Sequence, residues 1–548
     1  MPIAAGARDI IVASDSNPRV YTSSEIGARA TVVPHHTFDY KVKHKIQDPD
    51  HEPTDIRTDP INILGPVLDG HIPVVTNSDP TSLLAAFNKR CNFLADTKDN
   101  IADKEFKMAL DLVASLPDLF TDDPWLENDV DRARWLKKFD QPKADRMCTA
   151  WNERPDTTLR DIRNKTLMVK IETLLKRDDA GWAPRAVYVG SDAHNCITGP
   201  PMMVAMERWQ ALLDDDADGS LLGPVSVRFA YKRDDTYLCE HLSRDATLTN
   251  VCEGDFSRND REQRQRVALI IDAVLHKLNF PEEFRKLMVD SSESYDVYAS
   301  MCGLKATLQH QLPTGTTATT FRNSVFNPVM FAVACRQQKI TRARANILGD
   351  DILAVTLQRM NLNEWINCVD RFKMVLKAFA PDLNGQATFL SRRLIMNTKT
   401  PCMIPKIGKT LARFNVRACK NPALSDDAYM AGKSLAHAYE FRHAPPFVSM
   451  FVRRFKYHYA RMNDHEKQGD VQHDSWFLKI SGLTKVDDIL TAAEKCSVKV
   501  RDHELSDWTT ETYSTWYTDL LQFCEKVITT PVYMVLDDGI INDLIIDM

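Results

Sequence analysis

The feature that most constrains this chain is Asn346-Ile347-Leu348-Gly349-Asp350-Asp351-Ile352-Leu353-Ala354-Val355, two apolar runs joined by a glycine and two adjacent carboxylates. Ile, Leu and Val favour strands, and a Gly-Asp step between such runs is a tight-turn signal. The stretch predicts a β-hairpin with both acids at its tip. Adjacent carboxylates repel, and they are tolerated where water or a divalent cation sits between them. Mg2+ (or Mn2+) suits such a site; a solvated turn is the plain alternative.

At 548 residues the chain has room for roughly three or four domains, or one large enzyme of several subdomains. A hydrophobic content of 44% and a charged content of 26% are those of a soluble globular protein. The formal charge of -6 announces no nucleic-acid partner. The distribution is uneven, and local basic patches are available: residues 132–185 carry 14 Lys and Arg against 8 Asp and Glu, and residues 391–421 carry 8 against none. The twelve cysteines stand singly, with no C-x-x-C pair and no Cys/His spacing for zinc, which fits a reducing compartment. No apolar run reaches about 18 residues, and Met1 to Gly6 is too short and uncharged for a signal peptide.

Residues 1–80 read as an irregular arm with extended segments, rich in Pro, Asp, His and Thr. Helical spacing then marks Ser82 to Leu94, Lys104 to Leu116 and Trp125 to Phe139. The first basic stretch holds Lys143 and Arg146, then Leu167 to Glu172, where alternation puts Lys170 and Glu172 on one strand face. Lys176-Arg177 and Pro184-Arg185 follow. Basic residues at strand ends can present several cations to one polyanion, or simply guard a sheet edge. The acidic run 214–219 lacks the spaced ligands of a calcium loop and reads as a polar loop.

Thr247 to Phe256 is strand-like and runs into a helical stretch, Arg261 to Leu278. Asp255 therefore sits where a strand leaves its sheet, the place where α/β architectures collect ligands. Asp260 follows and could equally cap the helix. Leu312 to Ser324 is a loop bearing Gly315 that enters an apolar helix ending near Gln338. Thr319 and Asn323, four apart, share one of its faces. Asn363 to Phe379 reads as a helix carrying Lys373 and Lys377. Thr388 to Met396 and Thr400 to Ile404 read as a second hairpin turning at Asn397-Thr398, and the basic run Lys406 to Arg413 comes next. From Asp426 the chain is mostly helical. Its stripe Phe447, Phe451, Phe455, Tyr459, beside Arg453, Arg454 and Lys456, suits either a core or a grip on single-stranded nucleic acid.

The joint order of these parts resembles the RNA-dependent RNA polymerases of positive-strand RNA viruses, closest in pattern to the nodavirus and tombusvirus-like groups. The residues that carry the resemblance are Asp255 and Asp260, Thr314-Gly315 with Thr319 and Asn323, Gly349-Asp350-Asp351, and Lys170, Glu172 and Pro184-Arg185. It spans roughly residues 60–415. It implies an α+β right hand of fingers, palm and thumb: residues 1–80 an N-terminal arm bridging fingers to thumb, 81–245 fingers, 246–275 palm, 276–312 a fingers insertion, 313–404 palm and 405–548 thumb.

The resemblance further implies that Asp255, Asp350 and Asp351 are catalytic metal ligands, and that Lys170, Lys176 and Arg185 face the triphosphate. Asp260, Gly315, Thr319 and Asn323 would complete the nucleotide site. Arg146, Arg392, Arg393, Lys406 and Lys409 would contact RNA. The general-acid lysine is left between Lys373 and Lys377. RNA template and product, ribonucleoside triphosphates and a divalent cation are the implied partners, and the host cell cytoplasm the implied place. Any membrane or host recruitment would come through other proteins. A reverse transcriptase would usually carry an aromatic residue at position 348, where this chain has Leu348. An RNA-binding scaffold with a decayed palm would be expected to have lost acids that are all present here.

Overall fold

The structure, a computed structural model, describes residues 10–13, 18–24, 29–32, 40–43, 58–59 and 61–548 apart from 72, 77–78, 92–100, 154–161, 176–183, 215–220, 258–262, 264, 300–303, 310–311, 382–385, 397, 399, 419–423, 470–472 and 474. Helices and several sheets make it an α+β chain. Its centre is a five-stranded sheet of β1 (Val225–Phe229), β2 (Asn250–Ser257), β3 (Ala343–Leu348), β4 (Asp351–Thr356) and β5 (Val375–Phe379). The spatial order is β1-β3-β4-β2-β5; β1 runs parallel to β3 and the other neighbours are antiparallel.

Four helices bear on the geometry around this sheet: α1 (Asp235–Ser243), α2 (Thr319–Gln337), α3 (Leu362–Arg371) and α4 (Ile407–Phe414). Every residue of α2 from Phe321 to Cys335 is buried, as expected of a helix surrounded by protein. Its Phe326, Val329 and Met330 pack with Ile347, Ile352 and Trp365 in the main core, so α2 backs the sheet under the Gly-Asp-Asp hairpin.

An eight-stranded sheet lies to one side, with strands 294–299, 164–169 and 186–190 at one end. Helix 80–90, whose first turn is capped by Asp79 accepting from Ser82 N–H at 2.9 Å, seals it through Leu83 and Phe87. On the other side a helical lobe begins at Asp426, with Phe447, Phe451, Trp508 and Phe523 in its core. Phe447, Phe451 and Phe455 are all buried, so the aromatic stripe packs the interior. One short stretch ties these bodies: strand 61–63 pairs with 416–418, 66–68 with 534–536, and 73–76 with 173–175. Arg454 donates to Leu64 O at 2.6 Å and Asn415 to Pro66 O at 2.9 Å, satisfying its buried carbonyls.

Three sequence expectations change. The helix over 363–379 stops at Arg371, and Val375–Phe379 becomes edge strand β5 on β2. Its helical-looking spacing yields to strand pairing, with Leu376 buried between exposed Val375 and Lys377. The helix over 125–139 is confined to Asp129–Leu136, started by Asn128 accepting from Asp131 N–H at 2.8 Å. Lys170 and Glu172 lie just past strand 164–169 rather than on it. Except for Asp214, the acidic run 214–219 lies outside the described residues. No described helix is long and apolar enough to cross a membrane.

Candidate active site

Leu348 pairs with Asp351, so β3 and β4 are joined by the two-residue turn Gly349-Asp350. Gly349 has φ +64°, the left-handed region, while Asp350 does not, the pattern of a type II′ hairpin with glycine first. The tip is also held from below. Ser324 Oγ accepts from Gly349 N–H at 2.8 Å, and Asn327 Nδ2 donates to Gly349 C=O. Sequence reasoning missed both residues; the available signal was a second polar pair on α2, beside Asn323.

Gly254 on β2 faces Ile352, which brings Asp255 beside Asp351 on the next pair, and strand alternation turns both to one side of the sheet. The electrostatics agree. Burial, then the charges of Asp350, Asp255 and Glu253, push the Asp351 carboxyl up to about 7. Glu253 is itself raised by burial and accepts from Thr388 N–H at 3.0 Å. Among the described residues, no three His, Cys, Asp or Glu side chains stand close enough to hold a metal ion. In kind the donors suit a hard divalent cation: they are all carboxylate oxygens, and a cation would reverse the repulsion that raises Asp351.

Gly349 and Asp351 open onto a cavity of about 1680 Å³ between the sheet and the helical lobe. Its charged lining is mainly cationic, with Lys138, Lys232, Lys406, Lys409, Arg413 and Lys433 among the cations and Glu172, Asp351 and Glu440 the acids. Lys409 donates to Ser391 Oγ at 2.7 Å. Burial, then its neighbours Arg413 and Lys406, lower its ammonium to about 8.

Arg185 donates through Nε to Glu172 at 2.6 Å and also through Nη2; Lys170 Nζ lies 3.4 Å from the same carboxylate. The bond to Glu172 holds the Arg185 guanidinium above its ordinary value against burial, and the Asp350 charge adds to it, so Arg185 is within electrostatic reach of the hairpin tip. Tyr188 N–H donates to Thr314 O at 2.8 Å, docking the Gly315 loop on strand 186–190.

Thr319 Oγ1 donates to Pro313 O at 3.0 Å, whereas exposed Thr320 lines the cavity. Asn323 is buried and accepts from Gln263, so the segment after Asp255 does pack on α2. Asp260 and Lys176 lie outside the described residues. Lys377 is the register partner of Asp255, while Lys373 occupies a left-handed turn at φ +62°.

Two further sets of cations were expected to meet RNA. Arg146, on helix 141–152, donates to Asp192 at 2.6 Å and is not part of the cavity wall. Arg392 and Arg393 are 2% and 1% exposed. Arg392 donates to Asp235 on α1 at 3.1 Å and to Glu440 O at 2.7 Å, and Arg393 to Asp547 at 2.7 Å. Buried guanidiniums need such partners, so these two tie the fold together, while Arg392 also contributes to the cavity lining.

Neighbouring carboxylates on a sheet face, beside a large cavity whose charged lining is mainly cationic, suit an enzyme that handles a polyanion. The family model described as RNA dependent RNA polymerase matches residues 43–464, and the chain belongs to that family, found in positive-strand RNA viruses. It is an RNA-directed RNA polymerase. A comparison with curated proteins finds no match.

Proposed function

We propose that this chain replicates a viral RNA genome by two-metal phosphoryl transfer, with a right-hand layout of the nodavirus and tombusvirus-like kind. The observation that carries the reading is Asp255 set beside Asp351 at the wall of the basic cavity. The palm, 246–275 and 313–404, holds β2 to β5 and α2, and β1 joins that sheet from the preceding segment. Residues 81–245 and 276–312 form the fingers, 405–548 the thumb, and 1–80 the arm whose strands at 61–68 reach the helical lobe.

Asp255, Asp350 and Asp351 would hold the divalent cations, which when bound stabilise charge on the transferring phosphoryl group and on the attacking oxygen. Lys170 and Arg185 bind the triphosphate, with Glu172 orienting the guanidinium. Lys176 belongs to the same site. Asn323 and Asp260 read the ribose hydroxyls, with Gly315 and Thr319 shaping that wall. Lys377, in register with Asp255, is the better placed general acid. Lys406 and Lys409 meet RNA phosphates. Arg146 remains an outer RNA contact. We place the work in the host cell cytoplasm, with recruitment by other proteins.

The test is purified protein with an RNA template, four ribonucleotides and Mg2+ or Mn2+. Template-dependent ribonucleotide incorporation supports the reading. A preference for deoxynucleotides would indicate a reverse transcriptase, and RNA binding with no incorporation a scaffold.

A further inference from the structure

Helix α4 carries cavity cations but does not cap itself: Lys406, at its N-cap, makes no side-chain capping bond. The free N–H of Gly408 in its first turn is met by Asp547, 139 residues away, whose Oδ2 accepts it at 2.9 Å. Tyr513 OH donates to that same oxygen at 2.8 Å, and Arg393 Nε donates to Oδ1 at 2.7 Å. Asp547 is 4% exposed, so all these bonds lie in the interior. The approach is close: a Cβ on Gly408 would fall 2.4 Å from Leu544 O. Residues 544–547 therefore fix where α4 starts and how its Lys409 and Arg413 face the cavity.

We propose that Asp547 is a positioning residue for RNA binding: by capping α4 from outside, it sets the cations from Lys406 to Arg413 against the RNA phosphates. The proposal rests on the reading of the cavity as the RNA path. A group that only stabilises the fold changes how much protein is folded. One that aligns cations changes how many counterions the RNA releases.

The experiment measures affinity for a labelled single-stranded RNA over a salt series, with thermal melting alongside, for wild type, Lys409→Ala, Asp547→Asn and Tyr513→Phe. For single strands each phosphate contact contributes about 0.7 to the slope of log K against log salt. Lys409→Ala is expected to flatten the slope by about 0.7, and Asp547→Asn by about as much or more. A lower melting temperature with an unchanged slope in Asp547→Asn overturns the proposal. If that variant does not fold, Tyr513→Phe, which keeps the Arg393–Asp547 pair, is judged by the same criterion: a flatter slope supports the proposal and an unchanged one overturns it. An unchanged slope in Lys409→Ala removes the cavity as the RNA path, and this proposal with it. A flatter slope in Lys409→Ala but not in Asp547→Asn overturns this proposal alone.

Discussion

Ser324 Oγ accepts the backbone N–H of Gly349 at 2.8 Å, so the helix under the sheet holds the turn that carries Asp350. Asn327, one turn further along α2, donates to the carbonyl of the same glycine. Removing either bond leaves a part-buried backbone group unmatched, at a cost of about 1–2 kcal/mol. Ser324→Ala and Asn327→Ala are expected to lower kcat about tenfold with little change in KM, because the acids lose alignment while substrate contacts remain. Steady-state kinetics with a melting curve checks this. An unchanged kcat in the folded variants would mean that the turn holds itself.

Asp350 is exposed at the tip, so Asp350→Ala should leave folding and RNA affinity nearly intact. Synthesis should fall by about a thousandfold or more, the scale of losing a group that stabilises charge in the transition state. Incorporation assays on the soluble variant decide it, and near-normal synthesis would end the assignment of Asp350 as a metal ligand.

Arg185 lies beside Glu172 and feels the charge of Asp350. Arg185→Ala should raise KM about tenfold for all four nucleotides alike, since a guanidinium on phosphate reads charge and not base. A defect confined to one nucleotide would place Arg185 elsewhere.

Asn323 gives the sharpest test of sugar choice. A site built to pair a hydroxyl rejects the deoxy analogue, because its own polar groups are then unmatched. Asn323→Ala should lower the ribo-to-deoxy ratio of kcat/KM by at least about tenfold, or roughly 1.4 kcal/mol. If Asn323 serves only its hydrogen bond to Gln263, stability drops and the ratio stays where it was.

Lys165 makes the stability of the chain depend on pH. Burial lowers its ammonium from 10.5 to about 7, and its Nζ contacts Ile162 O at 2.5 Å and His194 Nδ1 at 3.1 Å. A lysine with a lowered folded pKa binds fewer protons in the native state than in the unfolded one, so its contribution to stability improves as pH rises from about 7 towards 10.5. His443 works oppositely. Against burial, Asp235 and Cys496 raise it from 6.5 to about 9, so the stability it contributes is full below 6.5 and lost as pH rises through 9. The readout is therefore a difference: Lys165→Met should raise the melting temperature over wild type most at pH 7, with the gain shrinking towards pH 10. A constant gain would show that Lys165 is not the titrating group.

The sequence by itself determined the local parts. Strand-forming runs around Gly349-Asp350 specify a hairpin wherever they lie, and the order of Asp255, Gly315, Asn323 and Gly349 was readable because each depends on neighbours within a few residues. The tertiary structure decided what those parts meet. Arg392 and Arg393 look like surface cations in the chain, since charge is normally solvated, yet Asp235 and Asp547 lie 157 and 154 residues away and bury them. Val375–Phe379 became a strand because β2 offered it backbone partners, a preference that no local pattern encodes. The same holds for Ser324, Asn327 and Asp547. Their polar atoms could have capped, turned or faced water, and the backbone brought to each by the fold selected one partner for it.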